Sequence, residues 1–362
     1  MVYLDNAATT NVNNEVLKAA LPYLTEYYGN PSSTHQMGTV AKNAITEARM
    51  KCAKAINAEP EQIIFTSGAT ESNNLVAKQG EMLVSPFEHP SGRAMWVFHN
   101  LVAALDKMGR RGCRDVIVSQ MYVNNEVGSV FDIKKCAEIA HKAGYKFHTD
   151  ATQAFGHVPI DVKELDCDYL SLSGHKFHAP KGVGLLYVKE PLKLRNINRG
   201  GGQENGNRSG TENVFGIVAL GKAMELYQYK ESMDDHFYAL KYMVVDQLKS
   251  RSPVDYRINT IDGLPTVLNI LNISFKGINA EGLVALLDMD GFMVSQGSAC
   301  HSGSIEPSKV LQEIGVPDDY IHGTIRISFA LNNTLTEVHQ FTECLIKYLD
   351  TLSKVNTKEK LI

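Results

Sequence analysis

The sequence predicts an α/β fold, with a large domain built on a mainly parallel sheet covered by helices and a smaller α+β C-terminal domain. Three observations predict it. Up to about residue 250, short apolar runs ending in small-residue turns alternate with amphipathic helical segments, the pattern of βαβ units. His89, Asn125, Asp150 and Lys176 each stand just after a predicted strand, where open parallel sheets place their ligands. From about residue 254 the regular alternation gives way to a few short strands between helices.

A chain of 362 residues can bury a sizeable core, and 44% hydrophobic with 21% charged residues is ordinary for a globular protein. The formal net charge of -4 gives no reason to expect stable nucleic-acid binding. Met1-Val2-Tyr3-Leu4-Asp5-Asn6 lacks the features of a secretory signal, and no apolar run is long enough to span a membrane. The six cysteines are scattered without a Cys-x-x-Cys pair, which offers no zinc site or disulfide framework and makes a reducing cytoplasm the simplest setting.

In chain order, residues 11–28 read as a helix with Val12, Val16, Leu17, Ala20, Leu21 and Leu24 at helical spacing. Gly29-Asn30-Pro31-Ser32-Ser33 breaks it, and 40–56 forms a second amphipathic helix. The strand 62–66 runs into Ser67-Gly68-Ala69-Thr70-Glu71-Ser72-Asn73 at the start of a helix. Such a turn aims backbone N–H groups and a positive dipole end at an anion such as phosphate, with Thr70 adding a hydroxyl; a plain helix cap fits it too. The strand 83–85 ends in Pro86-Phe87-Glu88-His89-Pro90, a helix covers 91–108, and the strand 116–118 leads to Asn124-Asn125-Glu126. A helix over 133–143 precedes the apolar-rich run that carries Asp150.

Ser171-Leu172-Ser173-Gly174-His175-Lys176 is the segment around which the chemistry gathers. A lysine at the end of an apolar run suits a buried amine that forms a Schiff base, because burial disfavours its charged form. Pyridoxal 5'-phosphate is the common cofactor held this way, and its pyridine nitrogen needs an acidic partner, for which Asp150 is placed. Alone the motif is weak, since most lysines are solvated surface residues. Gly200-Gly201-Gly202-Gln203-Glu204 through Arg208-Ser209-Gly210-Thr211 is a glycine-rich loop, either a simple connection or a second phosphate contact. A long helical region follows towards Leu248. Strands at 267–270 and 325–329 alternate with helices near 280–288 and 336–353, and between them Gly297-Ser298-Ala299-Cys300 forms a small-residue loop around a cysteine.

With these segments in place, the chain resembles the cysteine desulfurases, enzymes of the class V aminotransferase group with the pyridoxal-phosphate-dependent transferase fold type I. The resemblance runs from Tyr3-Leu4-Asp5-Asn6-Ala7-Ala8-Thr9-Thr10 through Thr66-Ser67-Gly68-Ala69-Thr70-Glu71-Ser72, Glu88-His89-Pro90, Val123-Asn124-Asn125-Glu126 and Ser173-Gly174-His175-Lys176. It closes with Arg208-Ser209-Gly210-Thr211, Gly297-Ser298-Ala299-Cys300 and Ile325-Arg326-Ile327-Ser328, nearly the whole chain in the family's order.

The resemblance implies a large cofactor-binding domain over 13–253 and a small domain made of 1–12 and 254–362 that carries the cysteine loop. It implies that Lys176 holds the cofactor and shuttles protons at the substrate Cα, that Asp150 keeps the pyridine nitrogen protonated, and that Gln153 bonds the ring oxygen. His89 would stack on the ring and serve also as an acid/base. Ala69, Thr70, Ser173 and His175 would bind the phosphate. Thr211 would reach the phosphate of a partner subunit, implying a homodimer. Asn125 and Arg326 would grip the carboxylate of L-cysteine, Arg326 through its planar fork. Cys300 would take the sulfur as a persulfide and pass it to an acceptor protein, in iron–sulfur cluster assembly or in tRNA or other thiolation.

The sequence departs from that family in two places. The intervals around His89 are short, so part of the sheet between 71 and 124 is expected to be missing. A second arginine often found after Arg326 is absent from Ile327-Ser328-Phe329-Ala330-Leu331-Asn332-Asn333. A selenocysteine lyase or another class V aminotransferase-type reaction, and a low-activity scaffold of the same fold, are the alternative readings.

Overall fold

Seven strands, all but one parallel, form the sheet that positions the chemistry-bearing residues. In spatial order they are Ile63–Thr66, Gly184–Val188, Tyr169–Ser173, Lys146–Asp150, Val116–Ser119, Glu81–Val84 and Trp96–Val97. Gly184–Val188 alone runs antiparallel to its neighbours. Every residue of Ile63–Thr66, Val116–Ser119, Tyr169–Ser173 and Gly184–Val188 is buried, as expected for a sheet covered on both faces. The structure is a computed structural model and describes residues 1–92, 96–110, 115–196, 198–296 and 307–359. Among these, no helix is long and apolar enough to cross a membrane.

The chain divides into two compact units, Thr10–Val123 with Phe131–Tyr229, and Met1–Thr9 with Asn124–Val130 and Lys230–Ile362. The first unit holds the seven-stranded sheet. Its helix Gln36–Ala55 buries Ala41, Ala44, Ile45, Ala48, Cys52 and Ala55, one small-residue stripe at helical spacing. The second unit has a three-stranded antiparallel sheet in the order Thr324–Ser328, Ile270–Phe275, Tyr256–Ile258. Phe237, Leu240, Leu271, Ile273, Phe275, Ile325, Phe341 and Leu345 belong to its core. There Val2–Tyr3 pairs in parallel with Phe292–Met293.

Several sequence expectations shift. Residues 11–28 break into helices Asn14–Ala20 and Pro22–Thr25, because Pro22 starts a new first turn. The expected helix over 91–108 begins only at Leu101, and the two-residue strand Trp96–Val97 precedes it. That strand pairs in parallel with Glu81–Val84 at the edge of the sheet. The long helical region after the glycine-rich loop is two helices, Val214–Leu226 and Ser232–Arg251. The strand expected at 267–270 lies at Ile270–Phe275, where Asn272 and Ser274 are buried polar residues. Asn259 Nδ2 satisfies both, at 2.7 Å from Asn272 Oδ1 and 2.6 Å from Ser274 Oγ.

Among the buried ionisable side chains in and beside the larger sheet are His148 and Glu88. His148 donates or accepts at Ser119 Oγ (2.8 Å) and Ser171 Oγ (3.0 Å), and burial holds its imidazole down at about 4, outweighing the opposing charge of Asp150. Glu88 accepts the Met121 backbone N–H, while burial, reinforced by the Asp150 charge, pushes its carboxyl up to about 8. A carboxyl raised in the folded state keeps its proton where the unfolded chain has lost it. Stability from Glu88 therefore falls as the pH rises from 4.5 to about 8. Compared with Glu88→Gln, the wild-type chain should lose stability across that interval, on the order of a few kcal/mol. Urea unfolding of both proteins at several pH values checks this, and parallel curves would refute it. A Cβ on Gly184 would lie 2.4 Å from the Leu172 carbonyl oxygen and 2.7 Å from Gly68 Cα. Gly184→Ala should accordingly lower stability by about 2 kcal/mol, read as an earlier urea midpoint.

Candidate active site

The strand Lys146–Asp150 delivers Asp150 to its carboxyl end, and the neighbouring strand Tyr169–Ser173 does the same for the turn Gly174–Lys176. The two strands are in register with Asp150 opposite Ser171. Asp150 is buried, and its charge is met by two donors: the Thr152 N–H at 3.0 Å on Oδ1 and Asn73 Nδ2 at 2.8 Å on Oδ2. The two donors hold the carboxylate in place at the strand end, where a partner for a pyridinium N–H is needed.

Lys176 and His175 are half-buried. The turn that carries them is fixed by backbone bonds from Gly174 N to Val183 O and from Ala179 N to Gly174 O, both 3.0 Å. Thr10 adds two donors to the His175 carbonyl, its N–H at 2.8 Å and its hydroxyl at 3.0 Å. Burial, aided by the charges of Lys176 and Lys181, lowers the His175 imidazole to about 4. Before any anion binds, His175 is thus neutral near pH 7, and its ring N–H can donate a hydrogen bond to one.

The turn after Ile63–Thr66 opens the helix Ala69–Ala77. Gly68 caps it at φ 149°, a conformation that favours glycine, and no side chain caps the first turn. A Cβ there would lie 3.3 Å from Ser173 Oγ, so this turn and the lysine-bearing strand end meet. Uncapped N–H donors beside the hydroxyl of Ser173 and the neutral His175 form a donor set suited to a phosphate. Ala69 is half-buried and Thr70 exposed at this helix start, while Gln153 is buried just beyond Asp150.

The glycine-rich loop is tied down by two ion pairs that sequence reading did not single out, one to this turn and one to the helix Gln36–Ala55. Arg208 Nε lies 2.8 Å from Glu71 Oε1, and Glu71 Oε2 accepts the Ser67 N–H at 2.7 Å. Burial alone would raise the Glu71 carboxyl, but the Arg208 and Ser67 hydrogen bonds hold it below its ordinary value. Arg49 grips Glu204 bidentately at 2.8 and 2.6 Å, and Glu204 also accepts the Phe65 N–H at 3.0 Å. A small cleft, open to solvent and lined by Ser67, Gly182, Arg208, Gly210 and Glu212 among others, lies between loop and turn. Thr211 is exposed at the end of the loop.

His89 is half-buried, with Ser91 Oγ 2.8 Å from its Nδ1. Lys176, Asp150, Gln153, Ala69, Thr70, Ser173, His175, Thr211 and His89 all belong to the unit with the larger sheet. Asn125 and Arg326 belong to the other unit. Arg326, 1% exposed, donates to the Asn125 carbonyl and to Asp5 Oδ1, both at 2.8 Å. Its buried Nε–H has no partner, an unspent donor on a guanidinium otherwise suited to a carboxylate. Asp5 and the carbonyl were missed as its partners because their separation in sequence leaves no local signal. Cys300 lies outside the described residues.

The class-V aminotransferase family model matches residues 2–341. The chain is 41% identical to a cysteine desulfurase IscS of Methanosarcina thermophila, over 99% of this chain and 95% of that protein. It is 38% identical to a cysteine desulfurase IscS of Clostridium botulinum, over 96% and 94%. Among solved structures, a NifS-like protein superposes with a TM-score of 0.85 at 33% identity, covering 97% of this chain and all of that one. A NifS-like protein from Rickettsia africae gives 0.83 at 29% identity, covering 97% and 99%. Full-length matches of this kind, over a sheet that brings a buried acid and a lysine to adjacent strand ends, leave one assignment: the chain belongs to the class-V aminotransferase family and, within it, to the cysteine desulfurases.

Proposed function

We propose that this protein converts L-cysteine to L-alanine with pyridoxal phosphate as cofactor, taking the sulfur onto Cys300 and passing it to an acceptor protein. The observation that carries the reading is the buried Asp150, held by two donors, on the strand beside the one that ends at Lys176. The named relatives favour this over a selenocysteine lyase or an aminotransferase on the same fold.

Bound at this site, the cofactor supplies an electron sink for the bonds at the substrate Cα. Asp150 would hold a proton on the ring nitrogen, Gln153 would bond the ring oxygen and His89 would cover the ring face. The N–H groups at Ala69 and Thr70, with Ser173 and His175, would hold the phosphate. Lys176 Nζ would anchor the cofactor and move a proton at the substrate Cα, with Arg326 and Asn125 for the carboxylate. The Cys300 thiolate would attack the substrate sulfur; the S–S bond forms as the C–S bond breaks, alanine leaves, and the persulfide stays on the enzyme.

The exposed Thr211, on a loop held by Arg49–Glu204 and Arg208–Glu71, supports a homodimer in which it reaches the phosphate site of the second copy. An iron–sulfur scaffold or a thiolation protein is the proposed acceptor, and the cytoplasm the proposed setting. The large cofactor-binding domain at 13–253 and the small domain at 1–12 and 254–362 remain part of the proposal.

Lys176→Ala should abolish the visible absorption that the wild-type protein gains with pyridoxal phosphate. A retained, borohydride-reducible band would overturn the anchor. Cys300→Ala should keep that absorption and lose the persulfide, measured by mass spectrometry after incubation with L-cysteine; full turnover by this variant would remove Cys300 from the carrier role.

A further inference from the structure

His89 follows the buried Glu88 and precedes Pro90 and Ser91, at the start of a short 3-10 turn. Two groups of Ser91 converge on its Nδ1. The hydroxyl oxygen is 2.8 Å away and the backbone N–H donates at 3.2 Å. The backbone group can only donate, so Nδ1 is an acceptor and the ring proton sits on Nε2.

The hydroxyl points the same way for an independent reason. Asn73, 1% exposed on the helix Ala69–Ala77, sends one amide hydrogen to Ser91 Oγ at 3.0 Å and the other to Asp150 Oδ2 at 2.8 Å. Its amide cannot be turned over without setting an oxygen against the Asp150 carboxylate, and its own Oδ1 is left buried without a partner. Ser91 Oγ therefore accepts from Asn73, and its hydrogen is available for His89 Nδ1. The donors run outward from Asn73: one amide hydrogen to Asp150, the other to Ser91 Oγ, whose own hydrogen goes on to His89 Nδ1.

We propose that Asn73, donating to both sides, and Ser91 form a hydrogen-bond bridge between the Asp150 carboxylate and His89, fixing His89 as the neutral Nε2–H tautomer. Neither residue touches the reacting atoms; both are positioning residues. With Nδ1 occupied by donors and Nε2 already protonated, His89 has no nitrogen ready to take a proton. It acts as a neutral ring that stacks and offers its Nε2 proton, the acid half of the acid/base role expected of it, and taking a proton falls to Lys176. The function of this tautomer rests on the desulfurase reading, but the tautomer itself does not.

The test is 15N-detected NMR of the histidine side chains in the whole protein at neutral pH, without and with pyridoxal phosphate, the His89 signals being assigned by their loss in His89→Gln. The wild-type protein should show the Nε2–H pattern, already present without cofactor. An Nδ1–H pattern or an imidazolium would overturn the proposal. Ser91→Ala removes the hydroxyl and should shift part of the population to Nδ1–H, and Ser91→Thr should restore the wild-type pattern. In turnover, Ser91→Ala should lower kcat for L-cysteine about tenfold, with KM and cofactor affinity unchanged. A Ser91→Ala protein with wild-type spectrum and wild-type kcat would show that the bridge sets nothing. Failure of the desulfurase reading would show separately, as a correct tautomer in a protein that makes no alanine from cysteine.

Discussion

The carboxylate of Asp150 is the group that the larger unit is built to hold. A charge taken out of water costs several kcal/mol unless donors meet it, and here the Thr152 N–H and the Asn73 amide do so. The same charge reaches its buried neighbours. It helps to keep Glu88 protonated and opposes, without reversing, the effect of burial on His148. One ionised group thus stands among side chains whose surroundings favour their neutral forms. Such separation of titratable neighbours into unlike charge states is common where a protein needs one fixed charge.

Around that charge the architecture is economical in its elements. Adjacent parallel strands end at Asp150 and at the lysine turn, and the glycine-capped helix start approaches the same turn through Gly68 and Ser173. The glycine-rich loop, which by composition could be a loose connection, is instead clamped by ion pairs to structured partners. Glu204 reaches Arg49 and the Phe65 N–H, and Glu71 reaches Arg208 and the Ser67 N–H. Half-buried bidentate pairs of this kind hold geometry better than exposed ones.

Much of this was legible from the residues. Alternating apolar runs and helical stripes gave the parallel sheet, and the position of Asp150 and Lys176 after strands came from the same pattern. What the sequence hid has physical causes. The break between Val214–Leu226 and Ser232–Arg251 carries neither glycine nor proline, so no punctuation marks it. Strand Ile270–Phe275 buries Asn272 and Ser274 by pairing them with Asn259, which disguises a core strand as a half-polar one. A two-residue strand such as Trp96–Val97 is too short for any periodicity to reveal. The Asn73–Ser91 contact joins residues that are distant in sequence and individually unremarkable.

The pairing of Val2–Tyr3 with Phe292–Met293, and of Leu4 O with the Ser328 N–H, bears on how the chain is made. A ribosome releases the first strand long before its partner exists. The opening segment lacks its partner while the seven-stranded sheet, whose last residue in sequence is Val188, can already close. Nascent chains halted ahead of residue 292 would therefore carry a finished sheet and an orphaned leading strand, an edge that invites pairing with another chain.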